Sequence, residues 1–123
     1  MIPRAGAALG AILLALGASP ALAGPCDGLR AIKVPGVTID ALTEVGPARA
    51  FTPPLPGAAP LARRFCRIEG RIDRQIGFEL WLPERAAWNR RLLTGGVGGQ
   101  AGSFNYRELV RAAQGLRFLV FDE

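Results

Sequence analysis

The residues of this sequence best suited to chemistry are the glycines of segment 95–103, which reads GGVGGQAGS. Glycine has no side chain, so the backbone N–H groups of such a segment can approach a ligand closely. Two kinds of chemistry fit. One is a phosphate cradle at the start of a helix, and the other is a backbone N–H that stabilises the oxyanion formed during acyl transfer. The dinucleotide pattern G-x-G-x-x-G does not open a helix directly, so the phosphate interpretation is the weaker one. A plain strand-to-helix connection also fits the composition.

Other reactive side chains are few. The 123 residues contain no His, so they cannot supply a Ser–His or Cys–His pair or a histidine zinc ligand. Ser103 is the only Ser after residue 23, and it lies in the glycine segment rather than in a nucleophile turn. We therefore expect neither a metal nor a cofactor, and we expect the chain to lack a general base of its own.

Residues 1–23 have the three-part pattern of a cleavable secretory signal peptide. Arg4 supplies positive charge, residues 5–18 are uncharged and mostly apolar, and residues 21–23 read Ala-Leu-Ala, as cleavage requires. The apolar run of about 14 residues is shorter than the roughly 20 that span a bilayer, which argues against a membrane anchor. Cys26 does not follow the cleavage site directly, which argues against lipidation. We expect a secreted or periplasmic protein with no membrane contact after cleavage.

Cys26 and Cys66 are the only cysteines, and both lie beyond the signal segment. In an oxidising compartment two such cysteines usually pair, while two free thiols are the alternative. A bridge would close a loop of about 40 residues and contribute about 4 kcal/mol on the chain-entropy model.

The elements that must position the glycine segment follow from hydrophobic periodicity. A helix is predicted from an N-cap at Asn105, with Glu108 completing a capping box, to Gly115. A strand, the glycine segment, this helix and a further strand form one βαβ unit, so its two strands should be parallel. The proline-rich residues 46–62 should form a loop, and Arg74 lies in the turn of a predicted hairpin. The predicted strands are residues 37–45, 65–73, 75–82, 91–94 and 116–121.

Alternation in the two hairpin strands predicts one apolar and one polar face. Glu69 and Glu79 fall on the polar, outward face, where they could form a carboxylate pair. Cross-strand ion pairs with Arg67 and Arg71, each worth under about 1 kcal/mol, are the more ordinary expectation.

The aromatic and basic residues indicate no special partner. Trp81 and Trp88 are expected to pack in a core or on a strand face, although they could line a pocket for an aromatic ligand. The formal net charge is +5, but the arginines are scattered and lack interleaved aromatic residues. A nucleic-acid partner is therefore not expected.

Five short motifs between Phe65 and Asp122 resemble the N-terminal region of the tannase and feruloyl esterase family of α/β-hydrolases. Their order and spacing also match that family, as does an upstream Cys. The sequence departs from the family at Val97, near where Asn is common. The motifs are FCRIEG (65–70), IGFELWLP (76–83), WNRR (88–91), GGVGGQAGS (95–103) and the strand ending in Phe-Asp (121–122).

The resemblance implies a secreted serine esterase acting on a small-molecule phenolic or aromatic ester. It implies that Gly95 and Gly96 correspond to the oxyanion loop, with Gly96 as the N–H donor, and that Cys26 bridges to Cys66. The family's nucleophilic Ser, Asp and His have no counterpart in these residues. We therefore expect residues 24–123 to be the incomplete N-terminal part of an α/β-hydrolase esterase domain: an α/β fold made of a β-hairpin lead-in and one βαβ unit. The alternative is a small exported binding domain derived from that fold.

Overall fold

A computed structural model describes residues 24–95, 103–115 and 118–122 of the chain. All five predicted strands and the predicted helix are present, with boundaries within two residues of those expected. A short 3-10 turn at Leu29–Ala31 interrupts the otherwise irregular lead-in. The elements are β1 (Val37–Val45), β2 (Phe65–Ile72), β3 (Ile76–Pro83), β4 (Arg91–Gly95), α1 (Tyr106–Gly115) and β5 (Phe118–Asp122).

The described strands form one mixed sheet in the order β1-β2-β3-β5-β4. β1, β2 and β3 are antiparallel neighbours, β5 pairs antiparallel with β3, and β4 pairs parallel with β5. The predicted hairpin and the predicted parallel βαβ unit are both confirmed. The last strand enters between β3 and β4, so β4 and β1 lie at the edges of the described sheet.

The turn between β2 and β3 is tight. Asp73 and Arg74 both have positive φ, at 48° and 63°, and the N–H of Gln75 donates to the carbonyl of Ile72 at 3.1 Å. Residues other than glycine rarely adopt this left-handed backbone conformation, which costs roughly 1–2 kcal/mol per residue. The Asp73 N–H also donates to the Gly36 carbonyl at 2.7 Å, which attaches the turn to the segment before β1.

The disulfide face of the sheet carries a core of Cys66, Ile68 and Phe78. Cys26 and Leu29 of the lead-in pack on it, and Cys26 is bonded to Cys66 with their Cα atoms 4.9 Å apart. The predicted disulfide is therefore confirmed. It attaches the irregular lead-in to β2, and the loop it closes contains β1.

The helix face of the sheet carries Phe65 and Trp81, with Leu109 and Ala113 of α1 packed against them. The Trp81 ring stacks on Phe65 with centroids 5.2 Å apart. Phe51, from the predicted loop 46–62, meets the Trp81 ring edge-on at 5.7 Å. The loop is thus confirmed as non-strand, but it packs on the sheet and covers part of it.

The expectation that this face would be polar and outward is wrong for Glu79. Its side chain is 0% exposed, and Trp81 and Tyr106 both donate hydrogen bonds to it. The predicted alternation of faces is confirmed, but both faces of the hairpin are covered.

Gly70 lies where three strands meet closely. A Cβ at this position would stand 2.4 Å from the Thr38 carbonyl oxygen and 2.7 Å from the Phe78 ring. No side chain fits without moving backbone, which explains the glycine of the FCRIEG motif. The pairing of β1 with β2 shifts between Ile39 and Ala41, and the intervening Asp40 binds Arg71 at 2.8 and 2.9 Å.

Candidate functional site

The carboxyl ends of β4 and β5 lie at one edge of the sheet because these strands are parallel. Gly95, the last residue of β4, pairs with Asp122 of β5. Asp122 in turn pairs with Glu79, and Glu79 with Glu69, so one row of backbone crosses four strands. Ligand sites in open α/β sheets gather at this edge. Gly95 lies at this position, at the carboxyl end of β4, while Gly96 lies outside the described residues. The assignment of the two glycines to an oxyanion loop stays a prediction.

The start of α1 faces the end of β4 across a small cavity of about 90 Å³. Asn105 caps the helix: its side-chain oxygen accepts from the Glu108 N–H at 3.3 Å, and its carbonyl accepts from the Leu109 N–H at 3.1 Å. The predicted N-cap is confirmed. Gly95 and Asn105 both line the cavity, so the first residue of the glycine segment and the helix cap face the same space.

A group of interacting polar side chains lies beneath this edge on the helix face. We call Arg67, Glu69, Glu79, Trp81 and Tyr106 the Glu79 cluster. Glu79 accepts from Arg67 Nε at 2.5 Å and Nη2 at 3.0 Å, from Trp81 Nε1 at 2.7 Å, and from Tyr106 Oη at 2.6 Å. Arg67 also donates to both oxygens of Glu69, at 2.8 and 2.9 Å. The cluster connects β2, β3 and the first residue of α1.

The ionisation of the cluster is set by burial and by its own charges. Burial alone would lower the pKa of Arg67, but the hydrogen bond and charge of Glu79 raise it above its ordinary value, so Arg67 stays charged. Burial, with the hydrogen bond to Glu79, raises the pKa of Tyr106 to about 12. The phenol is therefore protonated at neutral pH and acts as a donor. Arg67 also lies 4.4 Å from the centroid of the Phe51 ring, a cation–π contact.

Sequence reasoning missed this cluster. It placed Glu69 and Glu79 outward, and it assigned no role to Tyr106. A usable signal was present: Glu79 lies two residues before Trp81 and therefore on the same face of the strand. A face that carries a large aromatic residue beside a carboxylate is one that can be covered.

The two tryptophans differ in their exposure to solvent. Trp81 is 0% exposed, which confirms the predicted core position. Trp88 is 39% exposed and lies outside the strands, so the expectation that it packs in a core or on a strand face is wrong. Its Nε1 donates to the Arg91 carbonyl at 3.0 Å, and its ring lines a groove of about 740 Å³ together with Pro25, Leu29 and Leu82. The groove runs between the lead-in and the end of β3.

Ser103 is exposed and lies two residues before the helix cap Asn105. Within residues 24–95, 103–115 and 118–122, Cys, Asp and Glu side chains do not form a group of three or more that could hold a metal ion. In the same part of the chain, no helix has the length and apolar character needed to cross a membrane.

Known proteins that are similar to this chain indicate which class of protein it resembles. No protein-family model matches the chain. An uncharacterised esterase of Xanthomonas campestris pv. campestris is 40% identical over 107 residues, which cover 84% of this chain and 18% of that protein. Two crystal structures from Aspergillus oryzae, of an esterase and of feruloyl esterase B, match with a TM-score of 0.59 and 24% identity. These matches cover 79% of this chain and 21% and 20% of theirs.

The chain is thus similar in sequence to an esterase and similar in fold to part of two esterase structures. The resemblance predicted from the motifs is confirmed as that of an esterase-like fragment, and one structure that shares its fold is a feruloyl esterase. The chain spans about a fifth of the length of the proteins it matches. What corresponds between them is a mostly β-sheet part of a larger esterase.

Proposed function

We propose that this chain is part of a secreted serine esterase of the tannase and feruloyl esterase type, within an α/β-hydrolase domain. The observation that carries the proposal is the position of Gly95. It ends a parallel strand opposite the capped N-terminus of α1, in a chain 40% identical to an esterase. The substrate is a small carboxylic ester. A phenolic or aromatic acyl group is proposed because one structural neighbour is a feruloyl esterase.

In this proposal the chain supplies electrostatic stabilisation and not the nucleophile. A Ser from elsewhere in the complete protein attacks the ester carbonyl, and the carbonyl oxygen becomes an oxyanion. The Gly96 N–H donates to that oxygen. The tetrahedral intermediate then expels the alcohol, leaving an acyl-enzyme that water hydrolyses. The His that moves the protons also comes from outside these residues, because the sequence contains no His. The acid that orients this His is proposed to lie outside them as well.

We also propose that residues 1–23 direct export and are removed. The disulfide between Cys26 and Cys66 supports an oxidising destination, secreted or periplasmic, since such bonds persist there and are rare in the cytosol.

A segment exchange tests the proposed function. The segment of the Xanthomonas esterase that matches this chain is replaced by the corresponding residues of the chain, and hydrolysis of p-nitrophenyl acetate and methyl ferulate is measured beside the parent protein. We expect the hybrid to hydrolyse the esters. An active parent with a folded but inactive hybrid contradicts the proposal.

A pair of glycine variants in the hybrid tests the donor. Gly96→Pro removes the proposed N–H and should lower kcat about 10²-fold or more. Gly99→Pro removes an N–H from the same segment and is the matched control, with a much smaller expected effect. Equal losses in the two variants contradict the assignment of Gly96.

The groove beside Trp88 favours one other candidate, a small exported binding domain. Titration of the whole chain with ferulate, followed by tryptophan fluorescence, separates the two candidates. Saturable quenching that Trp88→Leu abolishes, together with an inactive hybrid, would favour the binding domain.

A further inference from the structure

Glu79 has every hydrogen-bonding position of its carboxylate occupied. An ionised carboxylate has about four acceptor sites. Two are filled by Arg67, one by the Trp81 N–H and one by the Tyr106 hydroxyl. The donors come from two strands and from the helix, so the carboxylate joins three elements at one point.

Stability alone does not account for such a group. Burying a carboxylate carries a desolvation penalty of several kcal/mol, and an apolar residue of similar volume often stabilises a protein as well or better. What a saturated carboxylate adds is direction, because each of its donors must lie at a defined distance and angle. Here the directed donor of most interest is Tyr106, since it is the first residue of α1.

The Glu79 cluster lies on the same row of paired residues as Gly95, at the candidate site. Glu79 pairs with Asp122, which pairs with Gly95, so Glu79 and Gly95 share a row two strand spacings apart, about 10 Å. Gly95 is where β4 ends, and Tyr106 is next to the helix cap. The contact between Glu79 and Tyr106 therefore fixes the start of α1 relative to the strand end.

We propose that Glu79 is a positioning residue that, through Tyr106, sets where α1 begins relative to the carboxyl end of β4. The catalytic consequence rests on the proposed function: an oxyanion donor between these two points is placed by them. The positioning itself can be measured without any activity.

The contact between Glu79 and Tyr106 can be tested by titration of the phenol, because Tyr106 is the single Tyr of the chain. Phenolate absorbance near 295 nm then reports on Tyr106 alone. We expect the phenol of the whole chain to titrate well above the ordinary value of about 10, and Glu79→Gln to lower its midpoint by at least one unit. A wild-type midpoint near 10 would overturn the proposal.

The positioning is tested by amide hydrogen exchange in the whole chain with Tyr106→Phe, which keeps the ring and removes the donor. We expect the Glu108 and Leu109 amides to exchange at least about tenfold faster, because a hydrogen bond to a charged group is lost at the helix start. Amides of the β2–β3 ladder should be unchanged. Uniform acceleration, or none, would overturn the proposal, and this variant also serves if Glu79→Gln fails to fold.

The catalytic consequence is tested in the hybrid esterase. Tyr106→Phe should lower kcat about tenfold with KM nearly unchanged. The control Asp40→Asn, which weakens an exposed ion pair with Arg71 outside the cluster, should leave kcat intact. Altered exchange with unchanged kcat would overturn the catalytic link. An inactive unmutated hybrid with altered exchange would instead contradict the proposed function and leave the positioning supported.

Discussion

The two faces of the sheet hold their covering segments by different means. On the disulfide face, the irregular lead-in is held by one covalent bond between Cys26 and Cys66 over an apolar core. On the helix face, α1 is held by packing of Leu109 on Trp81 and by the Glu79 cluster. The covalent bond needs no helix and no charge. The cluster needs both, because the buried Glu79 carboxylate binds the Arg67 guanidinium and the first residue of α1.

The difference shows what each kind of attachment specifies. A disulfide brings two points together but leaves the covering segment free to be irregular, as residues 24–36 are. The Glu79 cluster orients a regular element and does so beside the candidate site. The two faces should therefore respond to different perturbations, the one to reduction and the other to loss of charge.

The largest expected effect comes from removing the shared carboxylate. Glu79→Ala leaves Arg67, whose side chain is only 15% exposed, without its buried partner. The free energy of unfolding should fall by about 3–5 kcal/mol. The matched control Glu69→Ala removes the more exposed partner of the same Arg and should cost below about 1 kcal/mol. Urea unfolding followed by tryptophan fluorescence measures both, and equal losses would show that the cluster has no buried centre.

A somewhat smaller effect is expected on the other face. Replacing both cysteines, Cys26→Ala with Cys66→Ala, should lower the free energy of unfolding by about 2–4 kcal/mol. Trypsin should then cleave faster at the exposed Lys33 of the lead-in, while α1 amides keep their exchange rates. Reduced wild-type protein is the control, and it should match the double variant. Faster exchange in α1 would mean that the faces are not independent.

The smallest effect is a loss of stability at alkaline pH that belongs to the helix face. The pKa of Tyr106 is about 12 in the folded chain and about 10 in the unfolded chain. The folded state therefore holds this proton more tightly. The stabilisation is complete below pH 10 and decreases as pH rises through about 12. Tyr106→Phe should remove this part of the pH dependence, whereas equal slopes in both proteins would show that the phenol does not contribute.

Local patterns were enough to predict the elements. Period-two alternation located β2 and β3, the Asn105 and Glu108 spacing located the start of α1, and the strand–helix–strand order predicted the parallel pair. These features depend on neighbours close in sequence. The disulfide was predicted because the chain contains only two cysteines and because residues 1–23 have the pattern expected of an export signal.

The Glu79 cluster could not be predicted in the same way. Its members lie up to about 40 residues apart in sequence, and the burial of Glu79 depends on α1 and Phe51 crossing one face of the sheet. Strand alternation assigns a side chain to a face but does not say whether that face is covered. The prediction for Trp88 was wrong in the opposite direction. This residue was expected to be buried but is exposed, because an aromatic residue in a turn need not reach a core.

The disulfide has a consequence for self-association. Cys26 and Cys66 lie 40 residues apart, and the ring they close contains β1, the outermost strand on its side of the described sheet. An edge strand is the element most readily exchanged between copies of a chain. While the bond is intact, β1 cannot leave its own β2 for that of a neighbour without carrying both ends of the ring along. The intact disulfide therefore hinders the exchange of β1 between copies of the chain.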